Sequence, residues 1–411
     1  MPHHSSAESV IIIGAGAAGC FAAIQLKRLR PDLEVTILER GPRPLAKVAI
    51  TGGGRCNLTN SFAQVRSLEQ VYPRGHRLMK RLMHHHSHHD TYQWFEREGV
   101  ALVTQEDECV FPQSQDAMQI VRTLTSLCHH HGVSIHTSTT AQSITPIEGG
   151  YEVVTPRHTY QAQHVVVTIG GQPQGRGFQL LDHLNLTITP PCPSLFSFCI
   201  PDKSLQALMG IVVPEAQAQL VGTKLKALGP LLITHWGMSG PAILRLSSYA
   251  APLLAERGYK GEVSINWMGT ATFDDVREQL LDYIHTHPQK QIQSIHPTHI
   301  NARLWLHLLQ RAGIKADSRW LELQGRLLNR LINTLTTDVY TVSDKNRFKE
   351  EFVTCGGVSL DSISSKTLEA KHHPGLYFAG EALDVDAVTG GFNLQAAWTM
   401  GYVVAQSIAK G

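Results

Sequence analysis

Three features that the sequence lacks narrow the classes of protein it can encode. Its seven cysteines are odd in number and scattered, without a CxxC or CxxxxC pair, which argues against a disulfide framework, a cysteine zinc site and a disulfide-exchange motif. No apolar run approaches the roughly 18 residues of a membrane-spanning helix, and the early run at 10–13 stops at Gly14 without a cleavage signal. The sequence therefore predicts a cytoplasmic protein with reduced thiols and no membrane partner.

A strong excess of one charge is also missing. The 411 residues include 36 Lys and Arg against 34 Asp and Glu, a formal net charge of +2, so the molecule as a whole does not attract nucleic acid or membranes. The segment 290–350 is locally basic, with ten Lys or Arg and five acidic residues. This basic segment either steers a phosphate-bearing substrate or serves only solubility.

What the sequence does contain is a dinucleotide-binding pattern near its start. An apolar strand at 10–13 is followed by Gly14, Gly16 and Gly19 in GxGxxG spacing, a helical stretch and a second strand ending at Glu39. In this pattern the first glycine makes a tight turn, the second lets a pyrophosphate approach the backbone, and the third lets helix and strand pack closely. The pyrophosphate meets the helix N-terminus, and the acidic residue accepts hydrogen bonds from ribose hydroxyls. An acid there repels a 2′-phosphate, which favours FAD or NAD over NADP.

Two later stretches favour FAD over NAD, because an extended flavin dinucleotide is held by several distant segments. Residues 164–172 (HVVVTIGGQ) predict a strand ending in a glycine pair. Residues 372–409 predict a strand ending near Gly380, a loop, and a long apolar helix opened by Gly391. The N-terminus of that helix can stabilise negative charge on a reduced flavin. Only one GxGxxG occurs, so no second Rossmann domain is evident, and NAD(P)H stays a candidate electron donor.

The stretch KVAITGGGRCNLTN at 47–60 places three consecutive glycines before Arg55, Cys56 and Asn57. Glycine loses more conformational freedom on folding than any other residue. Three in a row therefore predict a backbone that lies against something flat or charged, with a flexible loop as the alternative.

Four blocks of sequence resemble the signature blocks of the BaiN/RdsA family of NAD(P)/FAD-dependent oxidoreductases. They are KVAITGGGRCNLTN (47–60), THWGMSGPAILRLS (234–247), TCGGVSLDSI (354–363) and GLYFAGEALDVDAVTGGFNLQAAWTMG (375–401), in the family's order and over nearly the whole chain. One position departs from the family pattern, since Ala387 stands where glycine is expected after the second Asp of LDVD.

The resemblance implies a set of FAD contacts, with the flavin lying against the glycine-rich turn and the last helix. These residues are Gly14, Gly16, Ala17, Ala18, Gly19, Glu39, Arg40, Lys47, Gly53, Gly54, Arg55, Cys56, Asn57, Gly171, Gly380, Glu381, Asp386, Gly391, Phe392, Asn393 and Leu394, with Ala141 as a backbone contact to adenine. No metal site is expected. The five histidines of MHHHSHHD (83–90) predict part of an exposed helix, and those at 129–131 predict a helix end before Gly132.

The predicted fold class is α/β, with a Rossmann-like FAD-binding domain of the glutathione-reductase type interrupted by an inserted β-barrel with a helical part. The FAD-binding domain is predicted at 1–190 and 353–411, and the insertion at 191–352. Alternating strands predict the barrel, and apolar residues at helical spacing predict the helical part over about 272–337. The resemblance implies the same arrangement.

Two residues are candidates for proton transfer. Cys56 lies in a segment expected at the cofactor, and its neighbour Arg55 can lower the pKa of the thiol. His235 precedes a glycine-rich turn that leads into a predicted helix. A purely structural role is the alternative for both side chains.

The resemblance also implies an activity, the reduction of a uridine of large-subunit ribosomal RNA to dihydrouridine. That reaction takes a hydride to C6 and a proton to C5 of the ring, and the basic segment could meet the RNA. Two alternatives stay open: an FAD-dependent oxidase of a small amine or aminoketone, and a non-catalytic, flavin-stabilised RNA-binding or assembly factor. The partner is accordingly ribosomal RNA or a small molecule.

Overall fold

The chain forms two compact units in a computed structural model that describes residues 8–172, 174–346 and 353–411. The first unit comprises 1–192 and 352–411, and the second unit is the intervening 193–351. Three charged residues of the basic segment, Arg347, Lys349 and Glu350, lie outside the described residues.

Helices and strands alternate along the chain, and in the first unit they do so as a Rossmann-like fold requires. Within the described residues the α-helices are α1 (Ala17–Leu29), α2 (Ala46–Gly54), α3 (His76–Leu82), α4 (His88–Arg97), α5 (Ala117–His130), α6 (Lys203–Gln206), α7 (Pro241–Tyr249), α8 (Ala251–Glu256), α9 (Phe273–Thr286), α10 (Ala302–Arg311), α11 (Gly325–Thr336) and α12 (Phe392–Lys410). The strands are β1 (Ser9–Ile13), β2 (Glu34–Leu38), β3 (Thr59–Asn60), β4 (Leu102–Thr104), β5 (Cys109–Pro112), β6 (Ser134–His136), β7 (Ser143–Ile147), β8 (Gly150–Val154), β9 (Thr159–Ala162), β10 (His164–Val167), β11 (Ile188–Ser194), β12 (Phe198–Cys199), β13 (Val212–Leu220), β14 (Lys226–Thr234), β15 (Gly237–Ser239), β16 (Gly261–Asn266), β17 (Asp338–Val342), β18 (Asp344–Lys345), β19 (Val353–Val358) and β20 (Leu376–Phe378).

A five-stranded parallel sheet with the order β20-β10-β1-β2-β6 is the centre of the first unit. Its strand β1 is apolar and buried along four of five residues, as expected for a parallel strand covered on both faces. Helix α12 crosses α1 closely, because a Cβ at Gly401 would lie 2.8 Å from the Ala18 carbonyl oxygen. The order and direction of these strands confirm the predicted Rossmann-like class.

Three smaller sheets complete the first unit. Two are antiparallel and three-stranded, with the orders β3-β5-β4 and β7-β8-β9. The third pairs β11 with β19, the strands by which the chain leaves this unit and returns to it.

The second unit is built on an antiparallel sheet with the order β17-β16-β13-β14-β15-β12-β18. Its two outer strands, β17 and β18, belong to one stretch of chain separated only by Ser343. The first half of that stretch pairs with β16 and the second half with β12, where the Ser343 N–H donates to the Cys199 carbonyl at 2.9 Å. The sheet therefore closes on itself into the predicted barrel.

Helices α9, α10 and α11 occupy the stretch that apolar spacing marks as helical. They share a core with the barrel that includes three fully buried tryptophans, Trp267, Trp305 and Trp320. The indole N–H of Trp305 donates to the Ile292 carbonyl at 2.9 Å, and that of Trp267 donates to the Asp338 carboxylate at 3.0 Å, so both buried donors have acceptors. None of the helices in the described part of the chain has the length and apolarity that crossing a bilayer requires.

The histidine-rich stretch at 83–90 differs from the single helix predicted there. Helix α3 ends at Leu82, and α4 begins at His88 after a turn. The break has a local cause, because Ser87 and Asp90 form a reciprocal capping box that starts a new helix. The second histidine run behaves as predicted, since α5 ends at His130, two residues before Gly132.

Candidate functional site

The three glycines of the GxGxxG motif are required for different reasons. A Cβ at Gly14, whose φ is +109°, would lie 2.4 Å from the Thr168 carbonyl oxygen, and one at Gly19 would lie 2.1 Å from the Gly14 carbonyl oxygen. The fold itself therefore demands both glycines. A Cβ at Gly16 would meet no atom within 4 Å, and its φ of −85° suits any residue. The open space at Gly16, directly before the first turn of α1, fits a pyrophosphate bound by backbone N–H groups.

Glu39 joins the glycine loop to the end of β2. Its carboxylate accepts hydrogen bonds from the Ala15 N–H at 2.8 Å and the Gly41 N–H at 2.6 Å. An ionised carboxylate has about four acceptor positions, so ribose hydroxyls can still donate to it. The Thr139 N–H donates to the Glu39 carbonyl oxygen at 2.8 Å, which brings the segment containing Ala141 beside this loop.

The three consecutive glycines form a left-handed turn at the end of α2. Thr51 leaves the helix with a ψ of 149°, and Gly52, Gly53 and Gly54 follow at φ values of +60°, +69° and +81°. A Cβ at Gly52 would lie 2.8 Å from the Asn57 backbone nitrogen, whereas at Gly53 and Gly54 it would meet no atom within 4 Å. Backbone conformation is thus the reason for three glycines, and the open surface of the last two fits a flat ligand.

The segment that follows the glycine turn is hydrogen-bonded to the N-terminus of α12. The Asn57 amide, oriented to satisfy both partners, donates to the Thr59 carbonyl at 3.0 Å and accepts from the Gly391 N–H at 3.2 Å. The Asn60 side chain donates to the Gly390 carbonyl at 3.0 Å. Gly391 has a φ of +87°, and a Cβ there would lie 2.2 Å from the Thr59 carbonyl oxygen. The two segments that the resemblance implies to lie against the flavin are therefore neighbours.

The first turn of α12 also holds the loop that precedes it. The Asn393 side chain accepts from the Ala387 N–H and donates to the Ala387 carbonyl, each at 2.9 Å, and the Tyr72 hydroxyl donates to the Phe392 carbonyl at 2.9 Å. Ala387 does not adopt a positive φ, so alanine fits where the family pattern has glycine. Leu394 is half-buried on the same turn.

Glu381 brings three other expected contact residues together. Its carboxylate accepts from the Lys47 ammonium at 2.9 Å and from the Gly171 N–H at 2.7 Å. Gly380 next to it has a φ of +69°, and a Cβ there would lie 3.2 Å from the Ala18 methyl group. Arg40 is exposed in the bend after β2.

Asp386 is engaged in a buried ion pair rather than open to a ligand. Its carboxylate accepts two hydrogen bonds from the Arg74 guanidinium, and its side chain is fully buried. Sequence reasoning missed Arg74, because 312 residues separate it from Asp386 and no local motif marks it.

Cys56 lacks the exposure and the lowered pKa that a reactive thiol needs. The side chain is fully buried at a φ of +62°, and burial raises the pKa of the thiol to about 12. The Arg55 guanidinium lies over the Phe111 ring, 4.4 Å from the ring centre, and donates to the Gly52 carbonyl at 3.3 Å. The expectation that Arg55 lowers the thiol pKa is therefore wrong, since burial dominates and favours the neutral form.

Cys56→Ser should leave the pH profile of turnover unchanged in shape. Because the folded-state pKa is raised to about 12, the thiol stays protonated from pH 6 to 9 and adds no inflection there. The measurement is single-turnover rate against pH for both proteins, with Cys109→Ser as a control for loss of another buried thiol. An inflection below pH 9 that disappears only in Cys56→Ser would show that the thiol titrates during turnover.

His235 lies in the second unit, exposed in the turn between β14 and β15. Its ring packs against Trp236 with ring centres 4.4 Å apart. Helix α7 begins at Pro241 after Gly240, which confirms the predicted turn into a helix. A proton-transfer role for His235 stays a prediction.

A cavity of about 1120 Å³ lies at the other end of the parallel sheet. Glu8, His164 and Gly375 line it where β1, β10 and β20 begin, whereas Gly14 follows the end of β1. Tyr151 and Tyr377 add aromatic surface to its wall. This cavity is thus separate from the residues expected to bind the cofactor.

Comparison with known proteins bears directly on this arrangement. The model of the HI0933-like protein Rossmann domain family matches residues 8–407, nearly the entire chain. The chain belongs to this family. The match confirms the predicted family resemblance and fold class, and the protein is accordingly an oxidoreductase of the FAD-dependent type.

Curated proteins that resemble this chain over nearly its whole length have different named activities. The ribosomal RNA dihydrouridine synthase of Escherichia coli is 29% identical over 408 residues, covering 97% of both chains. The synthase of the same name from Haemophilus influenzae is also 29% identical, covering 97% of this chain and 98% of its own. The 3-dehydro-bile acid delta(4,6)-reductase of Clostridium scindens is 26% identical over 97% of this chain and 98% of its own.

Solved structures share the fold at much lower identity. The 3-ketosteroid-delta4-(5alpha)-dehydrogenase of Rhodococcus jostii superposes with a TM-score of 0.51 at 13% identity, covering 100% of this chain and 98% of that one. The 3-ketosteroid delta1-dehydrogenase of Sterolibacterium denitrificans superposes with a TM-score of 0.50 at 12% identity, covering 98% and 100%. These likenesses show the fold alone.

Proposed function

We propose that the protein reduces a carbon–carbon double bond conjugated to a carbonyl group, and that its substrate is a uridine of large-subunit ribosomal RNA. The observation that carries this proposal is the 29% identity, over 97% of both chains, with a ribosomal RNA dihydrouridine synthase. The bile acid relative supports the reaction class, because a delta(4,6) double-bond system next to a 3-oxo group and the C5=C6 bond of uracil next to C4=O are both conjugated to carbonyls. Relatives named as enzymes favour this reaction over a non-catalytic assembly factor.

The residues present fit FAD as the cofactor. The open backbone at Gly16 and the first turn of α1 would hold the pyrophosphate, and Glu39 would accept from the ribose hydroxyls. The surface of Gly53 and Gly54 beside the start of α12 would lie against the flavin ring. Once reduced, a bound FAD would supply the hydride that the substrate receives.

The chain's own contribution is position and electrostatics. The N-terminus of α12 presents backbone N–H groups and the positive end of a 19-residue helix, which stabilise negative charge placed there. Glu381 fixes Lys47 at 2.9 Å, so that an ammonium group is held next to the Gly171 segment. Cys56 is buried and its thiol stays protonated at neutral pH, which fits a role in supporting the turn.

The second unit supplies cations suited to an RNA backbone. Arg326 and Arg330 are exposed one turn apart on α11, and Lys315 is exposed nearby in sequence. Arg311 is already engaged, because its guanidinium lies 2.6 Å from the Asp338 carboxylate. The exposed cations would pair with RNA phosphates and would not distinguish one base sequence from another. Selection of the uridine would therefore depend on the residues around the flavin.

Deleting the gene should abolish one dihydrouridine in the large-subunit ribosomal RNA, as measured by mass mapping of modified nucleosides. The wild-type gene should restore it.

The double variant Arg326→Glu/Arg330→Glu should bind RNA at least about tenfold more weakly, with a shallower salt dependence, because two phosphate contacts are lost.

The matched control reverses the same amount of charge on the β13–β14 hairpin of the second unit, at Lys224 and Lys226, both exposed. Lys224→Glu/Lys226→Glu should restore the modification like wild type. An unchanged modification map in the deletion strain would reject RNA as the substrate. Reduction of a 3-oxo-delta(4,6) steroid by the purified protein would then favour the bile acid relative's activity, and peroxide release with small amines would favour an oxidase.

A further inference from the structure

Two cysteines far apart in sequence are neighbours in the first unit. Cys192 is on β11 and Cys355 on β19, and these two strands pair with each other. Their sulfur atoms lie 3.2 Å apart as free thiols. A separation of 163 residues hides this pair from any reading based on cysteine spacing.

The surroundings divide the two thiols into different roles. The hydrogen bond from the Cys355 thiol lowers the pKa of Cys192, and the Arg74 guanidinium lowers it further, while burial and the carboxylates of Asp384 and Asp386 oppose these effects. The same hydrogen bond and burial raise the pKa of Cys355. The Cys192 thiol therefore ionises more readily than the Cys355 thiol.

Access to the pair is also unequal. Cys192 is 9% exposed and Cys355 is 1% exposed. A small oxidant thus reaches Cys192 first, and the thiolate is the reactive form of cysteine. A more acidic, less buried thiol next to a second thiol is the arrangement found at redox-sensitive cysteines.

We propose that Cys192 and Cys355 form a reversible thiol–disulfide site that is closed by a peroxide. The Cys192 thiol, reacting as its thiolate, attacks one peroxide oxygen and the O–O bond breaks. Cys192 becomes a sulfenic acid, and the second oxygen leaves as water after taking the proton that the thiol released. The Cys355 sulfur then attacks the Cys192 sulfur, the S–O bond breaks, and a second water leaves. Two thiols are thereby oxidised by two electrons and hydrogen peroxide is reduced to two waters. A dithiol reductant reverses the change by thiol–disulfide exchange.

The disulfide would join the chain at the two places where it passes between the units. Cys192 is the last residue of the first unit before the second unit begins, and Cys355 comes three residues after the chain re-enters it at 352. The bond would therefore close a loop that contains the entire second unit. Closing so long a loop restricts the unfolded chain, so the oxidised protein should melt at a higher temperature.

Another cysteine pair in the same unit provides an internal control. The Cys128 sulfur lies 3.9 Å from the Cys20 carbonyl oxygen, and both side chains are fully buried. The hydrogen bond with Cys128, together with burial, raises the pKa of the Cys20 thiol well above its usual value. Both pairs thus consist of neighbouring cysteines, whereas a lowered pKa and a partly exposed side chain belong only to Cys192. The control pair should resist peroxide.

The test treats the purified, full-length holoprotein with a small excess of hydrogen peroxide, blocks the remaining thiols with N-ethylmaleimide and identifies cross-linked peptides by mass spectrometry. We expect a peptide joining Cys192 to Cys355, with Cys20 and Cys128 still unoxidised. The melting temperature should rise by about 5 °C and return to its starting value with dithiothreitol. Cys355→Ser should accumulate a sulfenic acid at Cys192 that dimedone traps, and Cys192→Ser should leave Cys355 reduced.

Two results would overturn the proposal. One is a Cys192 that remains alkylatable at the same peroxide dose that oxidises exposed thiols of a control protein. The other is equal oxidation of the Cys20 and Cys128 pair, which would show that proximity alone decides. Because the wild-type measurement needs no substitution, the proposal stays testable if a serine variant fails to fold. The outcome is also independent of the substrate of the enzyme.

Discussion

Gly16→Val should give a folded protein that no longer retains FAD. The backbone of residue 16 is extended, and a Cβ there meets no protein atom within 4 Å, so the fold leaves room for a side chain at this position. The new side chain would occupy the space in which a pyrophosphate approaches α1. We expect FAD affinity to fall at least about 100-fold, or ~2.7 kcal/mol, as measured by quenching of flavin fluorescence.

Gly14→Ala is the matched control, because it tests the fold instead of the ligand. Its Cβ would lie 2.4 Å from the Thr168 carbonyl oxygen at a φ of +109°, so the apoprotein should lose about 2 kcal/mol or more of unfolding free energy. The apoprotein of Gly16→Val should instead unfold like wild type in urea. Wild-type FAD affinity in Gly16→Val would show that the pyrophosphate does not lie at this loop.

Arg74→Met should destabilise the protein by about 3–5 kcal/mol, because it leaves the buried Asp386 carboxylate without its cation. Asp386 begins the segment that Asn393 fixes through two hydrogen bonds to Ala387, so the start of α12 should loosen as well. Urea unfolding followed by tryptophan fluorescence measures the loss of stability, and hydrogen exchange at 387–395 measures the local effect.

The double variant Arg74→Met/Asp386→Leu separates the buried charge from the packing around it. Replacing both partners removes the unpaired carboxylate, so more than half of the stability lost in Arg74→Met should return. A double variant as unstable as the single one would assign the loss to packing of the Arg74 side chain. Stability equal to wild type in Arg74→Met would show that the ion pair contributes nothing.

The parts of the site that the sequence made predictable are those governed by local backbone chemistry. The GxGxxG spacing predicted the turn at Gly14 and the close packing at Gly19. Both are explained by backbone carbonyl oxygens that would lie within 2.4 Å of a Cβ at either position. The apolar helix after Gly391 was likewise visible, because its N-terminal glycine and its length are local features. The prediction of a barrel rested on hydrophobic alternation in the strands together with the family resemblance.

What the sequence concealed depends on contacts between distant segments. The pKa of Cys56 was predicted in the wrong direction, because its neighbour Arg55 is visible in the sequence whereas its burial is not. The Arg74–Asp386 pair and the Cys192–Cys355 pair span 312 and 163 residues, and no spacing rule reaches that far. The break between α3 and α4 was a local feature that the histidine run obscured, since Ser87 and Asp90 carry the capping signal.

The glycine turn at 52–54 has a structural reason that the sequence argument did not include. A flat surface against the backbone was expected because three glycines cost entropy. The structure adds that all three residues have a positive φ, so the fold needs glycine before any ligand binds. Only Gly53 and Gly54 leave space on their Cβ side, which restricts the proposed flavin surface to those two residues.

The central proposal is that this flavoprotein transfers hydride to a uridine, and one measurement tests it most directly. The purified protein, reduced in the absence of oxygen, is mixed with an equimolar amount of ribosomal RNA from the deletion strain, and dihydrouridine is quantified by mass spectrometry. We predict one dihydrouridine per reduced protein, at the position that is unmodified in that strain. RNA recovered without dihydrouridine, with the protein still fully reduced, would contradict the proposal.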